Sequence, residues 1–303
     1  LRIANILVGN PEGAAALEMT LLGPQLKVLA PVKLALTGAD LGAEINGQEL
    51  PRWQTVAVKS GDEITFTAAK SGCRCYLAIA GGIDIPEVMG SRSTYLRGKI
   101  GGLDGHTLKA GDIITASSSR EKNIPTGTRL APALIPKYQT QITLRVIIGP
   151  QDDHFTPAGR DIFLNSEYAV TTEADRMGYR LEGPKIEHAA GADIISDGIP
   201  LGAVQIPGHG LPIIMLADRQ TTGGYPKIAT VCSVDLSHIG QAKPGDKIRF
   251  EAITRSESIQ LLKKREVALN KWAQSLPEAG GRIWHFRIGI GGQTFTTQVE
   301  EVQ

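Results

Sequence analysis

Five consecutive hydrogen-bonding side chains precede a Gly-Gly pair in Asp218-Arg-Gln-Thr-Thr-Gly-Gly-Tyr-Pro226. Asp218 and Arg219 carry opposite charges and are placed to pair with each other. Gln220, Thr221 and Thr222 add one amide and two hydroxyls directly before a Gly223-Gly224 turn. Exposed backbone amides at two successive glycines suit a carboxylate or a developing oxyanion. A solvated loop closed by its own hydrogen bonds would use the same residues, so the segment alone supports both readings.

A second constellation is Gln151-Asp-Asp-His154. On a strand Asp152 and His154 share a face, where a carboxylate beside an imidazole can act as general acid or base. A turn built on Asx hydrogen bonds accounts for Pro150-Gln-Asp-Asp equally well. Asp175-Arg-Met-Gly-Tyr-Arg180 supplies Arg176 and Arg180, whose guanidinium groups match carboxylates. Arg92, within Gly90-Ser-Arg-Ser-Thr-Tyr-Leu-Arg97, reads either as an anion ligand across a domain interface or as part of a helix start capped by Ser91. His209 falls at the tip of an expected hairpin, where a lone histidine is most often incidental.

Other chemistries are excluded by what the sequence lacks. There is no G-x-x-x-x-G-K-[ST] phosphate loop, no G-x-S-x-G nucleophile elbow, no H-E-x-x-H zinc spacing and no Met-Lys-Met biotin-attachment tripeptide. A self-contained nucleotide or metal enzyme is therefore not expected, and no metal site is assigned. Thirty-two basic and 31 acidic residues give a formal charge of +1, which draws neither nucleic acid nor an anionic membrane. No apolar run reaches the ~18 residues a membrane span requires. Cys73, Cys75 and Cys232 are too few for a disulfide framework and read as buried reduced thiols in a cytoplasmic protein, Cys73 and Cys75 lying on one face of a strand.

The elements that must position these residues are mostly strands. The 35 glycines among 303 residues are spread along the chain, which fits many tight turns between short strands. Strands are expected at Leu26 to Leu36, Gln54 to Val58, Ile64 to Ala68, Cys75 to Ala80 and Ile113 to Ala116. A second series is expected at Thr143 to Ile148, Tyr168 to Thr171, Ala203 to Ile206, Pro212 to Leu216, Ala229 to Ser233 and Lys247 to Ala252. The first residues, Leu1 to Leu7, form a partial helical face that Gly9 ends, and Asn10-Pro11-Glu12 reads as a further helix start. Thr254-Arg-Ser-Glu257 has capping-box form before a long helix whose Lys263-Lys-Arg-Glu266 run faces water. A closing hairpin spans Ile283 to Val299 across Gly291-Gly292.

The two series resemble each other internally. Ile45-Asn-Gly-Gln-Glu-Leu50 parallels Leu181-Glu-Gly-Pro-Lys-Ile186, Tyr76 to Ala80 parallels Ile214 to Ala217, and Lys109-Ala-Gly-Asp-Ile-Ile114 parallels Lys243-Pro-Gly-Asp-Lys-Ile248. The span from first anchor to last aspartate is 67 positions in one half and 65 in the other. Lys59-Ser-Gly-Asp-Glu-Ile64 repeats the last pattern, which is in part simply a turn into a strand. The expectation is a mainly β protein of two similar antiparallel β-barrel domains, residues 1–134 and 135–303, with a few short helices and one longer helix near the C-terminal end.

Four ordered segments carry a family resemblance: Gly81 to Thr94, Asp175 to Leu181, Gln205-Ile-Pro207 and Gln220 to Pro226. They resemble the biotin-dependent carboxyltransferase family, also called allophanate hydrolase subunit 2. That family includes the C component of bacterial ATP-dependent 5-oxoprolinase, the antagonist of a sporulation-kinase inhibitor, and part of the carboxyltransferase domain of urea carboxylase. The resemblance implies cyclophilin-like barrels, and a Gln-Asp-Leu-Gly-Arg segment some tens of residues ahead of Ile3 that this chain lacks. It further implies two protein partners, a shorter B component similar to the kinase inhibitor and a third, A component.

The reaction so implied is ATP-driven opening of 5-oxo-L-proline to L-glutamate, with ATP used by the complex and no cofactor bound by a recognisable motif in this chain. The alternatives are carboxyl transfer from biotin carried on a partner, or non-enzymatic binding of a kinase inhibitor. Under the first reading Arg176 holds the substrate carboxylate. Gln220, Thr221 and the Gly223 and Gly224 amides polarise the lactam carbonyl, Asp152 or His154 moves protons, and Arg92, Gln205, Thr222 and Tyr225 complete the binding set.

Overall fold

The computed structural model describes residues 1–117, 122–278, 283–290 and 293–300. After helix α1 (Arg2–Leu7), the first half runs through β1 (Leu17–Thr20), β2 (Leu26–Lys27), β3 (Val32–Asp40), β4 (Glu44–Ile45), β5 (Gln48–Glu49), β6 (Thr55–Val58), β7 (Glu63–Thr65) and β8 (Ser71–Ile79). They form two four-stranded sheets, β1-β8-β3-β6 and β2-β7-β4-β5. Leu34, Leu36, Leu41, Leu50, Ile64 and Leu77 bury one shared core between them. The expected Leu26 to Leu36 strand is split into β2 and β3. Pro31 lies at the break, where it has no N–H to give a ladder.

The second half comprises β9 (Gln141–Ile148), α2 (Pro157–Asn165), β10 (Tyr168–Val170), β11 (Gly178–Glu182), β12 (Asp197–Gly198), β13 (Ala203–Gln205), β14 (Ile213–Met215), β15 (Thr222–Gly223), β16 (Lys227–Val231), α3 (Leu236–Ile239) and β17 (Lys247–Ala252). Seven of its strands close a barrel in the order β10-β11-β14-β13-β16-β9-β17. Alternation explains its interior: Ile142, Leu144 and Val146 of β9, with Ile248 and Phe250 of β17, point inward while Gln141, Thr143, Lys247 and Arg249 point out. The seam between β9 and β17 is parallel, against the wholly antiparallel expectation, because β17 arrives by a crossover through α3. Phe163 of α2 stacks on Phe250 at 4.3 Å between ring centroids. The mainly β class thus holds, with closure achieved in the second half and two facing sheets in the first.

Three sequence expectations change. Ile113 to Ala116 is not a strand: Ile113 is 67% exposed and Ala116 makes one isolated bridge to Ile83. The Lys-x-Gly-Asp pattern is one turn used three times. Asp62, Asp112 and Asp246 each accept from the backbone N–H of the lysine three residues earlier, at 2.8, 2.7 and 2.8 Å. The glycine between them stands at φ of +93°, +95° and +92°, the left-handed region. Only the first and last lead into strands, so this anchor reports turn chemistry and carries no weight for duplication. Finally, Asn10-Pro11-Glu12 starts no helix. Asn10 is buried, donating to Ile79 O and accepting from Gly81 N, and Glu12 accepts from Arg2.

Helix α4 (Arg255–Gln274) has the expected capping box, Thr254 and Glu257 exchanging hydrogen bonds. Its Leu269 and Trp272 pack with Leu7, Trp53 and Leu130, so the helix that follows the barrel in sequence lies on the first half. Arg2 and Glu266 join α1 to α4 through two bonds of 3.0 and 2.7 Å. Strands β18 (Ile283–Ile290) and β19 (Gln293–Glu300) pair antiparallel, and their Gly291-Gly292 link lies outside the described residues. Among the described residues no helix is long and apolar enough to cross a membrane.

Candidate functional site

Register separates the candidate residues into two groups at opposite ends of β14. At one end Gly178 of β11 faces Met215, and Asp218 N donates to Arg176 O at 2.8 Å just beyond. At the other end Gln205 faces both Ile213 and Lys227, at the rim where β13 stops and β16 begins.

Arg176 does not stand free. It donates to both carboxylate oxygens of Asp218, at 2.9 and 3.1 Å, and to Glu18 of β1 at 2.5 Å. All three guanidinium nitrogens are thus engaged by carboxylates of this chain, so none is turned toward a substrate carboxylate. The carboxylate-holding role expected of Arg176 is therefore corrected: it is a strut between the halves. Glu18 extends the network to Arg74 at 3.6 Å, and Arg74 donates to Tyr179 OH and Gly240 O across the same boundary.

The expected Asp218–Arg219 pair is absent for the same reason; Arg219 donates to Ile199 O at 2.8 Å instead. Arg180 pairs locally with Glu173. Arg92 neither crosses the boundary nor opens a helix, because Glu87 binds it at 3.3 Å on the surface; from this segment it is Arg97 that crosses, 3.4 Å from Asp175.

The rim at Gln205 is built differently. Lys227 is a cation at the inward start of β16, its side chain 1% exposed, and it donates to Asp197 Oδ2 at 2.9 Å. Gln151 donates to the same oxygen at 3.2 Å and accepts from Lys227 N at 3.1 Å. The Lys227 ammonium, the Gly198 N–H and the Gln151 amide together hold the Asp197 carboxyl below its usual range. Gln205, also buried, donates to Tyr225 O at 3.4 Å.

Gly223 lies in β15 opposite Asp197 of β12, so its main chain takes part in a ladder and is not a free oxyanion donor. Its missing side chain serves packing: a Cβ there would come within 2.7 Å of Ile199 Cδ1 and 3.3 Å of Gln205 Nε2. Gly224 O accepts from Ile194 N. Gln220, Thr221, Thr222 and Tyr225 are exposed along this segment, and Gln220 makes no side-chain hydrogen bond among the described residues.

Asp152 and His154 sit in a 3-10 turn, Asp152–His154, directly after Gln151, which ties them to the rim. They are not a strand-face pair. Asp152 is bound by Arg160 at 3.4 Å, and His154 Nδ1 is buried with no hydrogen-bond partner among the described residues. The residues that sequence reasoning passed over are Lys227, Asp197 and a role for Gln151. Lys227 had a signal, a cation directly ahead of the apolar run Ile228-Ala-Thr-Val231. A separate cavity of about 450 Å³, lined by Tyr138, Thr143, Arg145, Asp235 and His238 among others, shares no residue with the rim. Its Arg145 and Asp235 already satisfy each other through three hydrogen bonds. Among the described residues no cluster of three metal-ligating side chains occurs.

A barrel with a polar rim, joined to a second β unit by partly buried ion pairs, is the class of molecule these features define. Residues 1–252 match the family model described as "Carboxyltransferase domain, subdomain A and B", and the chain belongs to that family. It is 36% identical over 260 residues to the 5-oxoprolinase C subunit of Escherichia coli K12, covering 86% of this chain and 82% of the relative. It is 34% identical over 283 residues to the urea amidolyase of Saccharomyces cerevisiae, covering 88% of this chain and 15% of the relative. The crystal structure of Kluyveromyces lactis urea carboxylase matches with a TM-score of 0.84 at 28% identity, over 99% of this chain and 29% of that one. The chain thus spans a small part of the two large urea enzymes and most of the 5-oxoprolinase component.

Proposed function

We propose that this chain is one subunit of an ATP-dependent complex that opens 5-oxo-L-proline to L-glutamate. The observation that carries the reading is reciprocal coverage, 86% of this chain against 82% of the 5-oxoprolinase C subunit from Escherichia coli. A component lettered C implies companions, and the resemblance points to a shorter B component and a third, A component. A lactam is a stabilised amide, so its opening gains from ATP coupling. With no phosphate loop in this chain, the nucleotide belongs to the assembled complex.

In this reading the rim around Gln205 receives the substrate. Gln220, Thr221, Thr222 and Tyr225, exposed on the adjoining segment, meet the substrate or a partner protein there. The turn carrying Asp152 and His154 supplies the proton-transfer group. The test is co-purification of the chain with its partners from its own cells, followed by glutamate release from 5-oxoproline with and without ATP. ATP-dependent release that vanishes when this chain is omitted supports the reading; full release without it ends it.

A second reading is carboxyl transfer from a biotin carried on a partner, favoured by the family description and by the match over 99% of the chain to urea carboxylase. It requires a biotinylated protein in the purified complex and turnover that depends on bicarbonate, so the same preparation separates the two.

A further inference from the structure

Lys227 lies beneath a carboxylate that half faces solvent. Its side chain is 1% exposed against 53% for Asp197, and among the described residues the bond to Asp197 is the only one its three N–H groups make. A buried ammonium with two unused donors is unfavourable unless an acceptor takes them. Directly opposite in the β13–β16 register stands Gln205, 4% exposed, whose Nε2 makes a single long bond and whose Oε1 receives none among the described residues. Asp197 is carried on β12, held to β15 by a ladder of two residue pairs, Asp197↔Gly223 and Gly198↔Thr222. A solvent-facing carboxylate is thus presented to a buried cation.

We infer that Lys227 and Gln205 form an anion-exchange site for a small amide that bears a carboxylate. The ligand carboxylate takes the place of Asp197 on the ammonium, and the Gln205 side-chain amide pairs donor to acceptor with the ligand's own N–H and C=O. A lactam presents these two groups side by side, which is the arrangement a primary amide matches. The identity of the ligand rests on the 5-oxoproline reading; the exchange at Lys227 does not. No bond is made or broken in this step, which is recognition only.

The test is calorimetric binding of three probes to the full chain with its co-purified partners: 5-oxoproline, 2-pyrrolidone (the same lactam without its carboxylate) and acetate. Wild type should prefer 5-oxoproline over 2-pyrrolidone, and Lys227→Met should weaken 5-oxoproline binding by about tenfold or more, the scale of one charge-assisted hydrogen bond. Asp197→Asn should act in the opposite direction and tighten both carboxylates severalfold, because the competing anion is gone while the cation remains. If Lys227 merely staples β12 to the barrel, Asp197→Asn leaves carboxylate binding unchanged or weaker, and that result overturns the inference. Thermal unfolding accompanies each variant, and if Lys227→Met does not fold, the sign of the Asp197→Asn effect decides alone. A wild-type complex that binds acetate through Lys227 yet never opens 5-oxoproline sinks the activity reading and leaves the site standing. No carboxylate binding at all in wild type removes the site.

Discussion

The side chain of Gln241 completes the main-chain hydrogen bonding of Arg74. Its Oε1 accepts from Cys73 N and Arg74 N at 2.7 and 2.8 Å, and its Nε2 donates to Arg74 O at 2.7 Å. A glutamine from the second half thereby acts as one residue of strand against β8 of the first. The Arg74 guanidinium returns the contact, donating to Tyr179 OH and Gly240 O. The halves are joined by polar groups that are satisfied only when both are in place, which favours one mutual arrangement over others.

Replacing Gln241 by alanine strands two buried N–H groups and a carbonyl. Each uncompensated group costs ~1–3 kcal/mol, so Gln241→Ala should lose about 3 kcal/mol in urea unfolding. An unchanged midpoint would show that the junction does not contribute to stability.

Arg176 separates a structural from a substrate-holding role. Arg176→Ala strips Asp218 of its paired guanidinium and leaves Glu18 with Arg74 alone, so the melting temperature should fall. Arg176→Lys should restore little, because a point charge cannot reproduce the paired bonds to Asp218. In the ATP-dependent assay the KM for 5-oxoproline should stay within about twofold of wild type. A large rise in KM at unchanged melting temperature would return Arg176 to the binding site.

Acid should weaken the turn at Asp62. The Lys59 N–H, then the Asn46 amide, hold its carboxyl below its ordinary value of 3.8. A depressed folded value means the stabilisation is fully present above the unfolded value and is lost as pH falls through the folded one. Comparing wild type with Asp62→Asn by thermal unfolding, the gap between them should be constant near neutrality and close below about pH 4. A gap that persists undiminished in strong acid would contradict this assignment.

The thiols should be inert in the folded protein. Burial pushes Cys75 up to about 12 and raises Cys73 and Cys232 as well. Thiolate is the reactive form, so iodoacetamide at about pH 8 should label none of the three until denaturant is added. Rapid stoichiometric labelling of the native chain would mean that β8 opens readily.

Local pattern was legible where the cause is local. Thr254 to Glu257 reads as a capping box because both partners lie within one turn, and Lys247 to Ala252 reads as a strand because Ile248 and Phe250 alternate with charged residues. Lys-x-Gly-Asp is likewise fully determined by four residues, which is why it recurs wherever the turn is needed and misleads as evidence of descent.

By itself the sequence determined the mainly β class, the family, the turns and the segments around the rim. Tertiary structure alone decided which charges meet. Asp218 lies beside Arg219 in the chain but bonds Arg176, 42 positions away, and Arg176 reaches Glu18 across 158 positions. Lys227 reads in the chain as no more than a charged strand end, and only the folded rim encloses it with Asp197, Gln151 and Gln205. The reason is physical: a hydrogen bond forms between groups about 3 Å apart in space, and in a barrel strand order, not chain order, sets that distance.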